Sequence, residues 1–211
     1  MNELRKLSFF FLSIVTICCV GRNNNAAAKT VEAEIQNLMR LVLKQNVRQS
    51  MIDVWSTLIS DGNVYAGFDL EKHKATLDKI RETGLFAVEF IENYNQIVLV
   101  YDKWLRSKEF EWFVGESIPF FPLTNGGVNG WCNCQDVPYD EPCPWDNVEV
   151  KIISLINDNA EAIWKWGRLD VNAHPSFKEF SYNFRAVKED GKWKISYLEV
   201  FDFEKATQQF P

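Results

Sequence analysis

The sequence has few of the groups that commonly carry catalysis or nucleic-acid binding. It contains only two histidines and no basic run longer than a pair, and its formal charge is −6. An acidic chain of this kind binds phosphate backbones poorly, so we expect no nucleic-acid partner. A nucleotide-binding glycine loop, a zinc-protease helix motif and a serine-hydrolase elbow are all missing from the sequence. We therefore expect no cofactor, and the residues alone name neither a ligand nor a reaction.

Long apolar runs are also scarce, and the longest lies at the N terminus. Residues 7–20 carry no charge, but this run is shorter than the roughly 20 residues that span a bilayer. A basic start before it and a small-residue exit ending at Ala28 are typical of a secretory signal peptide, with cleavage after Ala28. The alternatives are a retained short anchor and a lipid anchor at Cys18 or Cys19. We expect an exported protein, periplasmic or extracellular, that meets a membrane only through such a lipid anchor.

The remainder, residues 29–211, has the length of one compact domain. The whole chain carries 8 tryptophans and 16 phenylalanines, which predicts a core or cleft rich in aromatic rings. Residues 109–146 have no regular period and hold most of the prolines and a Gly-Gly pair. We interpret them as a long insertion within that single domain.

Apolar residues at helical spacing predict helices in the N-terminal half. A first helix begins at Thr30, falters at residues 44–46 and resumes from Met51 to Leu58, so it is either one kinked helix or two short ones. A second helix is expected from Asp69 to just before Gly84, which suits a left-handed cap. The third helix has the clearest stripe, with rings and aliphatic side chains every three or four residues at Phe86, Phe90, Tyr94, Ile97, Tyr101 and Trp104.

After residue 148 the pattern changes to alternation with period two, which predicts β-strands. Four successive segments alternate in this way, and Asp190-Gly191 is a tight-hairpin signal between the last two. Helices first and a meander afterwards indicate an α+β fold. Because side chains alternate along a strand, one face of the sheet should carry Trp164, Trp166, Arg168, Phe180, Tyr182, Phe184, Trp193, Ile195 and Tyr197.

The C-terminal stretch "EDGKWKISYLEVF", residues 189–201, with the helices before it, resembles the cone-shaped α+β superfamily of nuclear transport factor and ketosteroid isomerase. The order of elements is similar to a bacterial envelope branch whose members are described as domains of unknown function. The resemblance implies helices packed in the concave face of a strongly curved sheet of about four strands. Two features depart from it: no clear short strand separates the second and third helices, and the insertion at 109–146 is long. The superfamily's catalytic residues have no counterparts that we can place here.

Three cysteines lie close together in "GWCNCQDVPYDEPCPW", residues 130–145. In an oxidising compartment we expect a disulfide from Cys132 or Cys134 to Cys143, because the first two are too near in sequence to pair easily. A metal site would need a fourth ligand such as Asp136 or Asp140, and a nucleophilic thiol would need a nearby base. We prefer the disulfide-stapled loop and predict no metal.

Two charged residues, Arg168 and Glu199, share the parity of the aromatic face. They either lie in water at an open rim, or pair with each other, or anchor a ligand in a cleft. In the last case the cleft would be walled by Tyr101, Trp104, Trp164, Trp166 and Tyr182.

We expect a non-enzymatic module that binds a small apolar ligand or an envelope protein. The alternative is an isomerase or dehydratase that uses a cleft carboxylate and a tyrosine. A third reading is an assembly role with an exposed apolar patch around Trp131 and Trp145.

Overall fold

A computed structural model gives the architecture of the chain. It describes residues 20–49, 57–109, 111–116, 131–132, 134, 136–139 and 143–208, and in the first helix it describes side chains over residues 29–45. In chain order the elements are α1 (Val20–Gln49), β1 (Leu58–Asp61), β2 (Val64–Phe68), α2 (Leu70–Thr83), α3 (Val88–Ser107), β3 (Val148–Ile156), β4 (Asn159–Trp166), α4 (Pro175–Glu179), β5 (Tyr182–Glu189), β6 (Lys192–Leu198) and α5 (Phe203–Thr207).

The strands form two antiparallel sheets. Strands β1 and β2 make a small hairpin, and the four C-terminal strands make a sheet in the order β3-β4-β5-β6. Helices α1 to α3 precede that sheet in the chain; α1 and α3 pack against it, and α2 packs against α3. The fold is therefore α+β, with an open four-stranded antiparallel sheet, as the sequence predicts.

The N-terminal helix α1 starts at Val20 and continues past Ala28. Residues 1–19, with Cys18 and Cys19, lie outside the described residues, so cleavage and lipidation stay predictions. Among the helices in the described ranges, none combines the length and apolar character that crossing a membrane requires.

The predicted apolar stripe of α1 is confirmed, since Ile35, Met39 and Val42 are fully buried. The predicted resumption of the helix after residue 50 falls mostly outside the described residues. Its last member, Leu58, is the first residue of β1, so the helical assignment there was wrong.

Helix α2 has the ends that the sequence predicts. The side chain of Asp69 accepts a hydrogen bond from the backbone N of Lys72 at 3.1 Å, which satisfies one free N–H group of the first turn. Gly84 adopts a left-handed φ of 67° just after the helix, and its N–H donates to the carbonyl of Arg81.

Helix α3 buries most of the predicted stripe, but Phe86 lies before the first residue of the helix. Phe90, Tyr94 and Tyr101 are at most 2% exposed. The chain just before this helix hydrogen-bonds to the free edge of β6, where Ile195 donates its N–H to the carbonyl of Leu85 at 2.8 Å and accepts from Ala87 at 2.9 Å. These bonds fix the helix against one edge of the sheet.

The opposite edge of the sheet is covered by α1. Arg40 donates from Nε and Nη2 to the carbonyl of Val148 at 3.0 and 2.7 Å, and Gln36 accepts from the N–H of Val150 at 3.1 Å. Backbone groups that an edge strand would leave unpaired are thus bonded at the start of β3.

A β-bulge in β6 changes which side chains face the core. Arg185 pairs with Tyr197 and Ala186 pairs with Ile195, so Ser196 is an extra residue in the ladder. An extra residue reverses the alternation beyond it. Ile195 and Leu198 are fully buried, whereas Tyr197 is half-buried and lies off their face. The predicted shared face is therefore wrong for Tyr197.

Two tryptophans of the predicted insertion are buried in the core. Trp131, from the insertion, is 3% exposed and its ring centroid lies 4.9 Å from Phe201 and 5.7 Å from Phe86. Trp145 is 7% exposed. Both tryptophans belong to the core, so within the described residues neither supplies the exposed patch expected around them.

Candidate functional site

A pocket lies between the β1–β2 hairpin and the C-terminal end of α3. Its volume is about 170 Å³. For scale, an engineered cavity of roughly 150 Å³ holds benzene. The pocket is lined by residues of the hairpin, of the helix end and of the segment that follows, namely Asp61, Val64, Tyr65, Ala66, Leu105, Lys108 and Glu111.

The floor of the pocket is held by a third chain segment beside the hairpin. The N–H of Tyr65 donates to the carbonyl of Trp112 at 2.8 Å, and the N–H of Val114 donates to the carbonyl of Asn63 at 2.9 Å. The rings of Tyr65 and Trp112 also lie 4.3 Å apart, and Trp112 is 1% exposed. The hairpin is therefore connected to this segment by backbone hydrogen bonds and by a ring contact.

An ion pair between the buried Asp102 and the half-exposed Arg106 connects the hairpin to α3. Asp102 accepts from the N–H of Phe68 at 2.7 Å and from Nε of Arg106 at 2.9 Å, and Arg106 Nη2 donates to the carbonyl of Phe68 at 2.9 Å. The hydrogen bond to Asp102 raises the pKa of Arg106. Both backbone groups of Phe68 are thus bonded to one turn of the helix.

Three charged side chains stand around the pocket. Asp61 comes from the end of β1, Lys108 follows α3 with a left-handed φ of 57°, and Glu111 follows shortly afterwards. Lys108 Nζ lies 4.0 Å from Asp61 Oδ2, and both side chains are largely exposed. The lining therefore combines an apolar floor with two carboxylates and one ammonium group.

None of the residues predicted from the sequence to bind a ligand lines this pocket. Tyr101 is fully buried, and its hydroxyl donates to the carbonyl of Ala206 at 2.9 Å, which ties α5 to α3. Trp104 is half-buried, with its ring centroid 6.5 Å from that of Tyr101. The structure gives both residues packing contacts.

Trp164, Trp166 and Tyr182 do come together, as predicted, at one end of the sheet. The ring of Trp164 lies 5.1 Å from that of Trp166, 4.7 Å from Phe180 and 5.9 Å from Tyr182. All three predicted residues are at most 4% exposed. Burial raises the pKa of Tyr182 well above its ordinary value. These rings pack on one another and form core, with no open wall.

Arg168 and Glu199 do not share the aromatic face. Strand β4 ends at Trp166, and Arg168 has a left-handed φ of 50° and is exposed. Beyond the β6 bulge, Glu199 accepts from the backbone N of Asn183 at 3.0 Å on the exposed side of the sheet. The prediction placed both charges by uninterrupted alternation, and a strand end and a bulge interrupt it.

The cysteines pair differently from the expectation. A disulfide joins Cys132 to Cys134, and Cys143 is a free, half-buried thiol. The Cα atoms of the bonded pair lie 5.2 Å apart. Since disulfides form at Cα separations of about 4.4 to 6.8 Å, one intervening residue is enough here. The objection to pairing such near neighbours was wrong.

Among the described residues, the histidines and acidic residues form no metal cage. Within the described ranges, no three of the His, Cys, Asp and Glu side chains lie together as a metal site would need. His73 is buried, and its Nε2 lies 2.9 Å from Asn95 Oδ1. His174 lies in a surface turn at the start of α4, where its Nδ1 accepts from the N–H of Ser176.

Sequence reasoning missed every residue of the pocket. The hairpin strands are four and five residues long, and β1 is mostly exposed, so they show no alternation. The turn around "SDGN" and the loss of helical period after Arg106 are the only signals near the site. These signals predict where the elements end, but they do not predict that those ends lie next to each other in the fold. Scans of protein-family models, curated proteins and solved structures found no match to this chain.

Proposed function

We propose that the protein is an exported, non-enzymatic binding module of the cone-shaped superfamily of nuclear transport factor and ketosteroid isomerase. Its ligand site is the pocket between the β1–β2 hairpin and the end of α3. The α+β architecture, with helices before an antiparallel meander, supports this kinship.

The observation that carries the proposal is a pocket with apolar and charged lining beside a core of packed rings. Trp131 and Phe201 belong to that core, and their ring centroids lie 4.9 Å apart. The hairpin pocket instead offers about 170 Å³ with both apolar and charged lining. The Asp102–Arg106 pair and the Trp112 contacts hold its two walls, so a ligand would meet a preformed site.

The enzymatic alternative needs a carboxylate that can accept a proton, and the buried Asp102 does not suit this role. Asp102 is 7% exposed, but its oxygens are taken by Arg106 and the N–H of Phe68. A tyrosine–aspartate pair exists between Tyr197 and Asp202 at 2.9 Å, on the outer side created by the β6 bulge. Asp202 also caps α5, and its pKa is lowered, so it is a poor proton acceptor at neutral pH.

An envelope-protein partner is a second candidate, and the tip of the β3–β4 hairpin favours it. Ile153 and Ile156 are 58% and 66% exposed there, and Leu155 lies between them. Apolar side chains grouped at an exposed strand end are a common feature of protein-contact surfaces.

Export is supported by the N-terminal pattern and by the disulfide, since disulfides persist in oxidising compartments. Expression of the full chain with its own N terminus should give a secreted or periplasmic product beginning at Lys29. A product that keeps residues 1–28 in the cytoplasm would contradict export. A product carrying a lipid on Cys18 or Cys19 would show that the chain is lipid-anchored and is not cleaved after Ala28.

The pocket is tested by titrating the ¹⁵N-labelled full chain with three benzene-sized probes, benzylamine, benzyl alcohol and benzoate. We expect at least one probe to shift the amide signals of Val64, Ala66 and Leu105 in a saturable way. Ala66→Leu, which fills the pocket, should abolish the shifts. Val171→Leu, at a residue 82% exposed and remote in sequence, is the control. Shifts absent from these amides with all three probes would overturn the pocket as the site.

A further inference from the structure

The charges around the hairpin pocket point to one class of ligand. We infer that the pocket selects a small organic cation, an ammonium group on a short apolar or aromatic body. This inference rests on the proposed function and adds the chemical class of the ligand.

The carboxylates outnumber the cation in the lining. The lining contains two carboxylates, Asp61 and Glu111, and one ammonium group, that of Lys108. The Lys108–Asp61 contact is long, at 4.0 Å, and the two side chains are 75% and 81% exposed. Water screens an ion pair of this kind, so Lys108 leaves Asp61 available to a second cation.

The end of α3 adds to the negative potential. This helix has 20 residues and ends at Ser107, so the partial negative charge of its C terminus lies beside Leu105 and Lys108 of the pocket. A cation is favoured at this end of a helix and an anion is disfavoured. Both sources of charge therefore select the same sign of ligand.

The rest of the lining suits an apolar body. Val64, Ala66 and Leu105 provide aliphatic contact. Tyr65 provides a ring, whose centroid lies 4.3 Å from that of Trp112. An aromatic ring also attracts a cation within about 6 Å of its centroid. A molecule of benzene size with one ammonium group matches both the volume and the charges.

The experiment compares the same three probes, which share one ring and differ in charge. We expect benzylamine to bind more tightly than benzyl alcohol, and benzoate to bind most weakly. Equal or tighter binding of benzyl alcohol or benzoate would overturn the charge selection while leaving the pocket as a site. Absence of binding by all three would instead overturn the proposed function.

Charge variants locate the selectivity. Asp61→Asn and Glu111→Gln should each weaken benzylamine by about two- to fivefold, the range for exposed ion pairs, and leave benzyl alcohol unchanged. Lys108→Met should tighten benzylamine. Glu161→Gln, an exposed carboxylate on β4, is the matched control and should change nothing. Unchanged benzylamine affinity in both carboxylate variants, with the folded spectrum retained, would contradict the inference.

Discussion

Gly67 lies directly against Asp102. A Cβ atom built on Gly67 would come within 2.8 Å of Asp102 Oδ1 and 3.1 Å of Arg106 Cζ. Gly67 also has a φ of 135°, which side-chain-bearing residues rarely adopt. Glycine at this position therefore lets strand β2 approach α3 closely enough for the hydrogen bonds of Phe68.

We predict that Gly67→Ala lowers the free energy of unfolding by about 2–4 kcal/mol, because it adds backbone strain and displaces the Asp102–Arg106 pair. Urea denaturation measures this change. Gly62→Ala is the control, because Gly62 has a φ of 64° but nothing within 4 Å of an added Cβ. It should cost only about 1 kcal/mol. Equal losses in the two variants would show that the close approach to Asp102 has no energetic weight.

His73 makes stability depend on pH near neutrality. Burial lowers its pKa below the ordinary value of 6.5, and this effect exceeds the opposing ones of Asn95 and Asp102. As the pH falls below about 6.5, the unfolded chain binds a proton at this residue before the folded chain does. The stability that neutral, buried His73 allows is therefore fully present above pH 6.5 and is lost as the pH falls below it.

We predict that the free energy of unfolding falls between pH 6.5 and 5 with a slope of at most about 1.4 kcal/mol per pH unit from this residue. In His73→Gln the slope should flatten. His174→Gln, at the exposed turn, is the control. The pKa values of Asp69, Asp146 and Asp202 are also lowered. The stability that these carboxylates contribute is lost only as the pH falls below about 3.8, outside the range of His73. An unchanged slope in His73→Gln would contradict the prediction.

The regular elements could be predicted because their periods are strong. Helix α3 repeats its rings from Phe90 to Trp104, and Asp190-Gly191 has the left-handed angles, 52° and 75°, that a tight hairpin needs. The faces of the strands were less predictable. Nothing in the residues around Ser196 announces the bulge, which depends on how β6 pairs with β5 and with the chain before α3.

The pocket could not be predicted, because its walls come from three separate segments. Asp61, Leu105 and Glu111 are brought together by the ion pair of Asp102 and by backbone bonds to residues 112–114. Those contacts are tertiary, and each segment alone reads as a turn or a helix end. The alternating pattern instead predicted that the tryptophans of β4 bind a ligand, but both are buried in the core.

Two buried tryptophans differ in hydrogen bonding, which makes a matched pair of variants. Trp112 Nε1 donates to the carbonyl of Glu116 at 3.0 Å. Trp164 Nε1 is buried and has no acceptor among the described residues. A buried donor without an acceptor costs about 1–3 kcal/mol. Replacement of Trp164 by Phe removes that cost while it removes some packing.

We predict that Trp164→Phe lowers the free energy of unfolding by at most about 1 kcal/mol, because the two effects oppose each other. Trp112→Phe should cost about 2–3 kcal/mol, because it loses both packing and a hydrogen bond. Thermal and urea unfolding give both values. Equal costs would mean that Trp164 has an acceptor outside the described residues.

The last prediction concerns the disulfide between Cys132 and Cys134. Alkylation of the unreduced protein followed by peptide mass spectrometry should label Cys143 and leave Cys132 and Cys134 linked to each other. A loop with one intervening residue restricts the unfolded chain little, so Cys132→Ser with Cys134→Ser should cost only about 1–2 kcal/mol. Cys143→Ser is the control, and it should leave the Cys132–Cys134 link intact. A peptide that links Cys143 to either of the other two would restore the stapled loop that the sequence favours and would contradict the pairing in the structure.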